Sequence, residues 1–148
     1  MKEFEKHNAK SIEQLEGDYW PEVGTEVSGL IRRCHAYRKV PITALSNEQL
    51  RTLISQNIGT EFIISIILER LEENPLAEGD LYEGDLLVAT ARIAKETWAI
   101  NPLLLNRFLN VFSMNRTVIA KGLGDSSAKR LEEGINEIET HFDQTSEL

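Results

Sequence analysis

Cysteine is nearly absent from this chain, which contains a single one, Cys34. One thiol forms no internal disulfide, so the sequence predicts a fold held by its core and suited to a reducing compartment. Long apolar runs are also missing, because runs such as those at residues 62–64 and 66–68 fall far short of the ~20 residues that span a bilayer. The N-terminal segment MKEFEKHNAK lacks the apolar stretch of a secretion signal. We therefore expect a cytoplasmic protein without a membrane span.

Positive charge is scarce, with 16 Lys and Arg against 24 Asp and Glu and a formal net charge of −8. Neutralising phosphates requires a basic face, so this balance argues against nucleic-acid binding. It is compatible with a basic partner, and equally with an acidic surface that serves solubility. The composition, 41% hydrophobic and 27% charged over 148 residues, predicts a globular protein whose single domain needs no metal for its core.

Helical patterns follow one another along the chain, and no alternating run indicates a strand. Ser46 and Gln49 form a capping-box pattern before one helix. Gly59 is expected to end that helix in a left-handed conformation, and Thr60 to cap the next one. The next helix is apolar nearly all round, which predicts a place at the centre of the core.

Other segments give further helix boundaries. One helix is predicted at about residues 26–38, ending before the Val40–Pro41 pair. Asn101 before Pro102 predicts another start, residues 117–124 are favoured as helix, and Ser126 or Ser127 is expected to open the last helix.

These boundaries together predict an all-α fold. We expect a single compact domain, 1–148, of about six to eight short helices packed as helical hairpins. Residues 1–10 and 143–148 are expected to be flexible ends.

The stretch EENPLAEGDLYEGDLL, residues 72–87, places six carboxylates between Glu72 and Asp85 without a Lys or Arg. Its spacing does not supply the register of an EF-hand calcium loop. No nucleophile or proton-transfer partner stands nearby in sequence, which argues against catalysis. Asp85 directly precedes an apolar helical pattern, so an N-cap role is expected for it. A solvated turn and a surface for a basic partner remain as alternatives.

Cys34 and His35 are adjacent, and adjacent helical residues point about 100° apart, so they cannot pair as nucleophile and base. A cluster of cations in the same region comprises Arg32, Arg33, Arg38 and Lys39. Pairing with the glutamate-rich segments is favoured for these cations over phosphate binding. The sequence thus predicts no catalytic, cofactor-binding or metal-ligating residues, and no enzyme.

Four segments resemble the immunity proteins of bacterial contact-dependent growth inhibition systems: SIEQLEGDYW (11–20), LIRRCHAYRKVPI (30–42), LSNEQLRTLISQNIG (45–59) and LERLEENPLAEGDLYEGDLL (68–87). The resemblance implies a cytoplasmic binding protein that neutralises the toxin domain at the C-terminus of a large exported effector, and so protects the producing cell. Such toxins are commonly nucleases with basic clefts, which implies a basic partner. The resemblance identifies neither the residues that contact the toxin nor the oligomeric state.

Charge supplies a candidate surface, because carboxylates complement a basic cleft and speed its encounter with the partner. We predict that the toxin-binding residues are Glu72, Glu73, Glu78, Asp80, Tyr82 and Glu83. The alternative function is a helical adaptor without a toxin partner, which would need a groove or an exposed apolar patch.

Overall fold

Nine α-helices and one 3-10 turn form within residues 10–146, the part of the chain that this computed structural model describes. The helices are α1 (Ile12–Glu16), α2 (Gly29–Tyr37), α3 (Asn47–Ser55), α4 (Thr60–Glu73), α5 (Asp85–Thr90), α6 (Lys95–Ile100), α7 (Pro102–Met114), α8 (Arg116–Gly122) and α9 (Asp125–Ser146). The 3-10 turn, Ile42–Ala44, precedes α3. No strand forms in this range, which confirms the all-α prediction.

The predicted capping box opens α3. The Gln49 N–H donates to Ser46 Oγ (3.1 Å), and the Ser46 N–H donates to Gln49 Oε1 (2.9 Å). A second capping box, which the sequence analysis missed, joins Ser11 to Gln14 at the start of α1.

The predicted cap at Thr60 is wrong. Gly59 occupies the N-cap position of α4 with φ +62°, and Thr60 is the first helical residue. The Thr60 hydroxyl donates instead to Asn57 Oδ1 (3.1 Å). A Cβ on Gly59 would lie 2.7 Å from Ile12, so both the left-handed backbone and the close approach of α1 require glycine here.

Two other boundaries differ by a few residues. The helix expected at 26–38 spans Gly29–Tyr37, because the Ser28 hydroxyl accepts the Ile31 N–H (3.2 Å) and fixes the start. The last helix begins at Asp125, before the two serines proposed to open it.

The other predicted helices agree better with the structure. Asn101 is the N-cap of α7 and Pro102 its first residue, as expected, although the Asn101 side chain donates to the Thr97 carbonyl (3.2 Å) instead of capping. Helix α8 confirms the helical interpretation for residues 117–122, whereas Leu123 and Gly124 lie beyond its end. Of the predicted ends, residues 143–146 belong to α9, and residues 1–9 and 147–148 lie outside the described residues.

Helix α4 lies at the centre of the core, as its sequence predicts. Its completely buried side chains are Ile63, Ile64, Ile67, Leu68 and Leu71. Helix α7 packs against α4, and α5 packs against α3, α4 and α9. Burial of these apolar surfaces is the main stabilising term of the fold, at about 25 cal/mol per Å².

Trp98 of α6 is completely buried and stacks on Phe108 of α7, with ring centroids 5.3 Å apart. Trp98 therefore anchors the packing of α6 against α7. Across residues 10–146, no helix combines the length and apolar character needed to cross a membrane.

Candidate functional site

The six carboxylates of the stretch between α4 and α5 face in different directions. We call residues 72–85 the acidic turn. Asp85 is 2% exposed and directs its carboxylate back into the turn. The Gly79 N–H donates to Asp85 Oδ1 (2.7 Å) and the Leu81 N–H to Asp85 Oδ2 (3.1 Å). Asp85 therefore fixes the backbone of the turn from its interior.

The predicted N-cap role of Asp85 is wrong. Gly84 occupies the N-cap position of α5 with φ +89°, and Asp85 is the first helical residue. The reason is that the Asp85 carboxylate accepts hydrogen bonds from amides of the preceding turn and does not cap the amides of α5. Gly84 adopts the left-handed backbone conformation that joins the turn to α5.

Glu48 of α3 fixes the turn from the other side. The Asp80 N–H donates to Glu48 Oε2 (2.9 Å), and Arg51 Nε donates to the same oxygen (2.8 Å). The hydrogen bonds from Arg51, and to a smaller extent the one from the Asp80 amide, lower the pKa of Glu48 to about 2. The local sequence around Glu48 does not predict this role, because nothing in it indicates a contact 32 positions away.

Close packing makes this arrangement specific. A Cβ on Gly79 would lie 2.6 Å from Glu48 Oε2 and 3.2 Å from Glu48 Cα. The Asn47 side chain adds a third link by donating to the Glu78 carbonyl (3.3 Å), while Arg70 Nη1 donates to Asn47 Oδ1 (3.1 Å). Helices α3, α4 and α5 thus all hold the turn in one conformation.

The predicted toxin-binding residues differ in their surroundings. The exposed ones are Glu72, Glu73, Glu78, Asp80 and Glu83, whereas Tyr82 is half-buried against the core. Glu72 is already paired, because Arg107 Nε donates to Glu72 Oε2 (3.2 Å) and this hydrogen bond lowers the pKa of Glu72. The remaining four carboxylates form no ion pair with any described residue.

The Cys34–His35 pair does not form a catalytic arrangement. Cys34 is buried, and its burial raises the pKa of the thiol. His35 Nδ1 donates to the Pro21 carbonyl (2.8 Å), and its ring lies against Trp20. Among residues 10–146, no group of three or more His, Cys, Asp or Glu is placed to hold a metal ion.

The basic residues at the end of α2 are partly paired within the protein. Arg38 is completely buried, bonds to Glu16, and lies 3.9 Å from the centre of the Trp20 ring. Lys39 Nζ lies 3.1 Å from Glu13 Oε2. The predicted pairing with glutamates is therefore confirmed for Arg38 and Lys39.

The other two cations of that run behave differently. Arg32 and Arg33 are exposed and form no ion pair within the described residues. The prediction of internal pairing is wrong for these two, because their positions on α2 face solvent.

A profile of the CDI immunity proteins, where CDI is contact-dependent growth inhibition, matches residues 14–108. The match covers more than half of the 148 residues. The chain belongs to the CDI immunity proteins. The resemblance drawn from segments between residues 11 and 87 is confirmed. No curated protein and no solved structure gave a match.

Membership of the CDI immunity proteins implies a toxin partner. The matched range contains the whole acidic turn and both carboxylates that fix it, Glu48 and Asp85. It ends inside α7 and excludes α8 and α9. The fixed turn therefore lies within the region that matches the family.

Proposed function

We propose that this immunity protein binds and neutralises the toxin domain formed by the C-terminal region of a CDI effector, and that this toxin is a nuclease. In this proposal the protein acts in the cytoplasm of the producing cell, by binding alone, without catalysis, a cofactor or nucleic acid. Membership of the CDI immunity proteins supports the toxin partner. The choice of the acidic turn as the toxin-binding surface rests on one observation: hydrogen bonds fix its backbone, and its unpaired carboxylates face outward.

The charges of the turn fit a basic nuclease cleft. Glu78, Asp80 and Glu83 are exposed and form no ion pair within the described part of the chain. Attraction between such charges and a basic cleft raises association rates by roughly 10- to 1,000-fold. Carboxylates in the place of substrate phosphates would also exclude the nucleic acid. We expect these three residues to contribute most, and Glu72, which Arg107 compensates, to contribute least.

The hydrogen bonds beneath the turn add to this argument. Binding costs free energy when a flexible loop must be ordered at the interface. Here the backbone amides of Gly79, Asp80 and Leu81 are already bonded to carboxylates of α3 and α5. The turn therefore presents its outward charges in one conformation before the toxin arrives.

The first test uses the toxin domain of the effector encoded beside this protein. Co-expression should restore growth, and the two chains should purify as one complex that no longer cleaves RNA or DNA. A wild-type protein that fails to bind this toxin would overturn the proposal. A bound toxin without nuclease activity would overturn the nuclease assignment. Cellular partners captured without any toxin would support the helical adaptor instead.

The second test locates the surface by charge reversal. The triple variant Glu78→Lys, Asp80→Lys and Glu83→Lys should associate with the toxin at least about tenfold more slowly at low salt, with a weaker salt dependence. The matched control reverses three exposed glutamates of α9: Glu133→Lys, Glu137→Lys and Glu139→Lys.

The two triple variants carry the same net charge, so a difference between them reports position and not overall charge. Association rates are measured by stopped-flow fluorescence at several salt concentrations. Equal association rates for the two variants would place the toxin-binding surface outside the acidic turn.

A further inference from the structure

A cleft of about 300 Å³ opens beside the acidic turn, between α3, α5 and α9. Leu81 and Tyr82 of the turn line one side of it, and Leu81 is 62% exposed. The cleft is thus continuous with the surface that we propose for the toxin.

Three arginines line this cleft: Arg51, Arg92 and Arg130. Such a concentration is unexpected in a chain with a net charge of −8. The structure explains Arg51, which bonds to Glu48 and lies 3.9 Å from Asp85 Oδ2. Arg92 and Arg130 are exposed, and neither guanidinium group forms a hydrogen bond or an ion pair with any described residue. Among residues 10–142, whose side chains the structure describes, these two cationic groups have no partner.

The packing of α9 brings these two arginines to the same cleft. A Cβ on Gly134 would lie 2.8 Å from the Ala91 carbonyl oxygen, so glycine allows α9 to approach the end of α5 closely. Arg92 directly follows Ala91 in the chain. Arg130 lies one helical turn before Gly134 on the same side of α9. The close contact therefore places Arg92 and Arg130 beside one opening.

The one acidic residue of the cleft lining does not neutralise them. Asp85 lines the cleft, but its two carboxylate oxygens accept the amides of Gly79 and Leu81 and lie near Arg51. Arg92 and Arg130 are left to attract an anion from outside the chain. An arginine binds a carboxylate through two parallel N–H bonds, which fixes its orientation.

We propose that this cleft receives an Asp or Glu side chain of the toxin domain, bound by Arg92 and Arg130 and flanked by Leu81 and Tyr82. The inference rests on the proposed function and adds a second contact of opposite charge to it. The acidic turn would bind a basic surface of the toxin, and the adjacent cleft would bind an acidic residue next to that surface. A pair of contacts with opposite signs fixes the orientation of the partner and rejects toxins that carry only a basic cleft.

The test is charge reversal of both arginines. The double variant Arg92→Glu and Arg130→Glu should bind the toxin domain at least about 30-fold more weakly than wild type, mainly through faster dissociation. The control Lys121→Glu and Lys129→Glu makes the same charge change at exposed positions outside the cleft lining and should bind within a few-fold of wild type. Circular dichroism checks that both variants are folded, and Arg92→Gln with Arg130→Gln replaces the first variant if it is not.

Charge reversal in the toxin identifies the partner residue. Each Asp and Glu on the toxin surface is replaced by Arg, and one replacement should restore at least about tenfold of the affinity for the double variant while weakening wild-type binding. Unchanged binding by the double variant would overturn the inference, as would an equal loss in the control or a loss that no toxin replacement restores. If the wild-type protein does not bind the toxin at all, the proposed function itself fails.

Discussion

Replacing Asp85 with Ala tests whether a buried carboxylate holds the acidic turn in place. The substitution removes the acceptor of the Gly79 and Leu81 amides, at 2.7 and 3.1 Å. A hydrogen bond to a charged group contributes about 1.5–3 kcal/mol to the free energy of unfolding. Because Leu81 is 62% exposed and its amide can be solvated when the turn opens, the loss is smaller than the sum of about 3–6 kcal/mol for two such bonds. We expect a loss of about 2–4 kcal/mol.

A loss of this size is readily measured. For a chain of this length, it lowers the melting temperature by roughly 4–16 °C. Urea unfolding at neutral pH gives the change in free energy, and NMR hydrogen exchange of the Gly79 and Leu81 amides shows whether the turn itself opens. Asp85→Asn should fall between wild type and Asp85→Ala, since its amide oxygen still accepts one of the two bonds.

The control is Asp80→Ala, which removes an exposed carboxylate of the same turn and should change the free energy of unfolding by no more than about 0.5 kcal/mol. If Asp85→Ala costs less than about 1 kcal/mol, or if the two amides exchange no faster than in wild type, the carboxylate does not fix the turn. The argument for a preorganised toxin-binding surface would then be wrong.

Two further predictions concern the second carboxylate and its neighbour. Because the Arg51 hydrogen bonds lower the pKa of Glu48 from 4.5 to about 2, its contribution to stability is fully present above pH 4.5 and is lost as the pH falls towards 2. We expect a loss of about 1–2 kcal/mol after solvent screening, and acid titration of Glu48→Gln should lack this component. Gly79→Ala should lower the free energy of unfolding by about 1–3 kcal/mol because its Cβ would meet Glu48, whereas Gly124→Ala, with no atom within 4 Å, should cost less than about 0.5 kcal/mol by urea unfolding. Retained wild-type stability in Gly79→Ala, or an unchanged acid transition in Glu48→Gln, would contradict the described contacts.

Local patterns in the sequence predict most of the fold, because helix periodicity and caps depend on residues three or four positions apart. The capping box of Ser46 and Gln49 is such a pattern, and it forms as expected. The same reasoning fails at Asp85, where an Asp before an apolar run satisfies the local pattern of an N-cap. The amides of the preceding turn, and not those of the helix, bond to that carboxylate. This arrangement depends on the folded conformation of the turn, which the local sequence pattern does not indicate.

The candidate site depends on contacts that are distant in sequence. Glu48 bonds to the amide of Asp80, 32 positions later, and no spacing rule connects them. The cleft combines Arg51, Arg92 and Arg130 from three helical regions, each of which resembles an ordinary surface cation when the sequence is considered alone. Charge composition identified the acidic turn, but it did not indicate a basic cleft beside it.

The structure also explains how so many carboxylates are placed together without a compensating cation among them. Asp85 and Glu48 bind backbone amides of the turn and lie near Arg51, and Arg107 neutralises Glu72, so these charges serve the fold. Repulsion between carboxylates, which would otherwise open the turn, is thereby limited to the exposed ones, and solvent screens these charges. The exposed carboxylates are Glu73, Glu78, Asp80 and Glu83. Unpaired charges on a rigid backbone bind a basic partner more favourably, because folding has already supplied the free energy needed to hold them together. The division into inward and outward carboxylates therefore makes one short segment a stable turn and leaves it outward charges for the toxin surface that we propose.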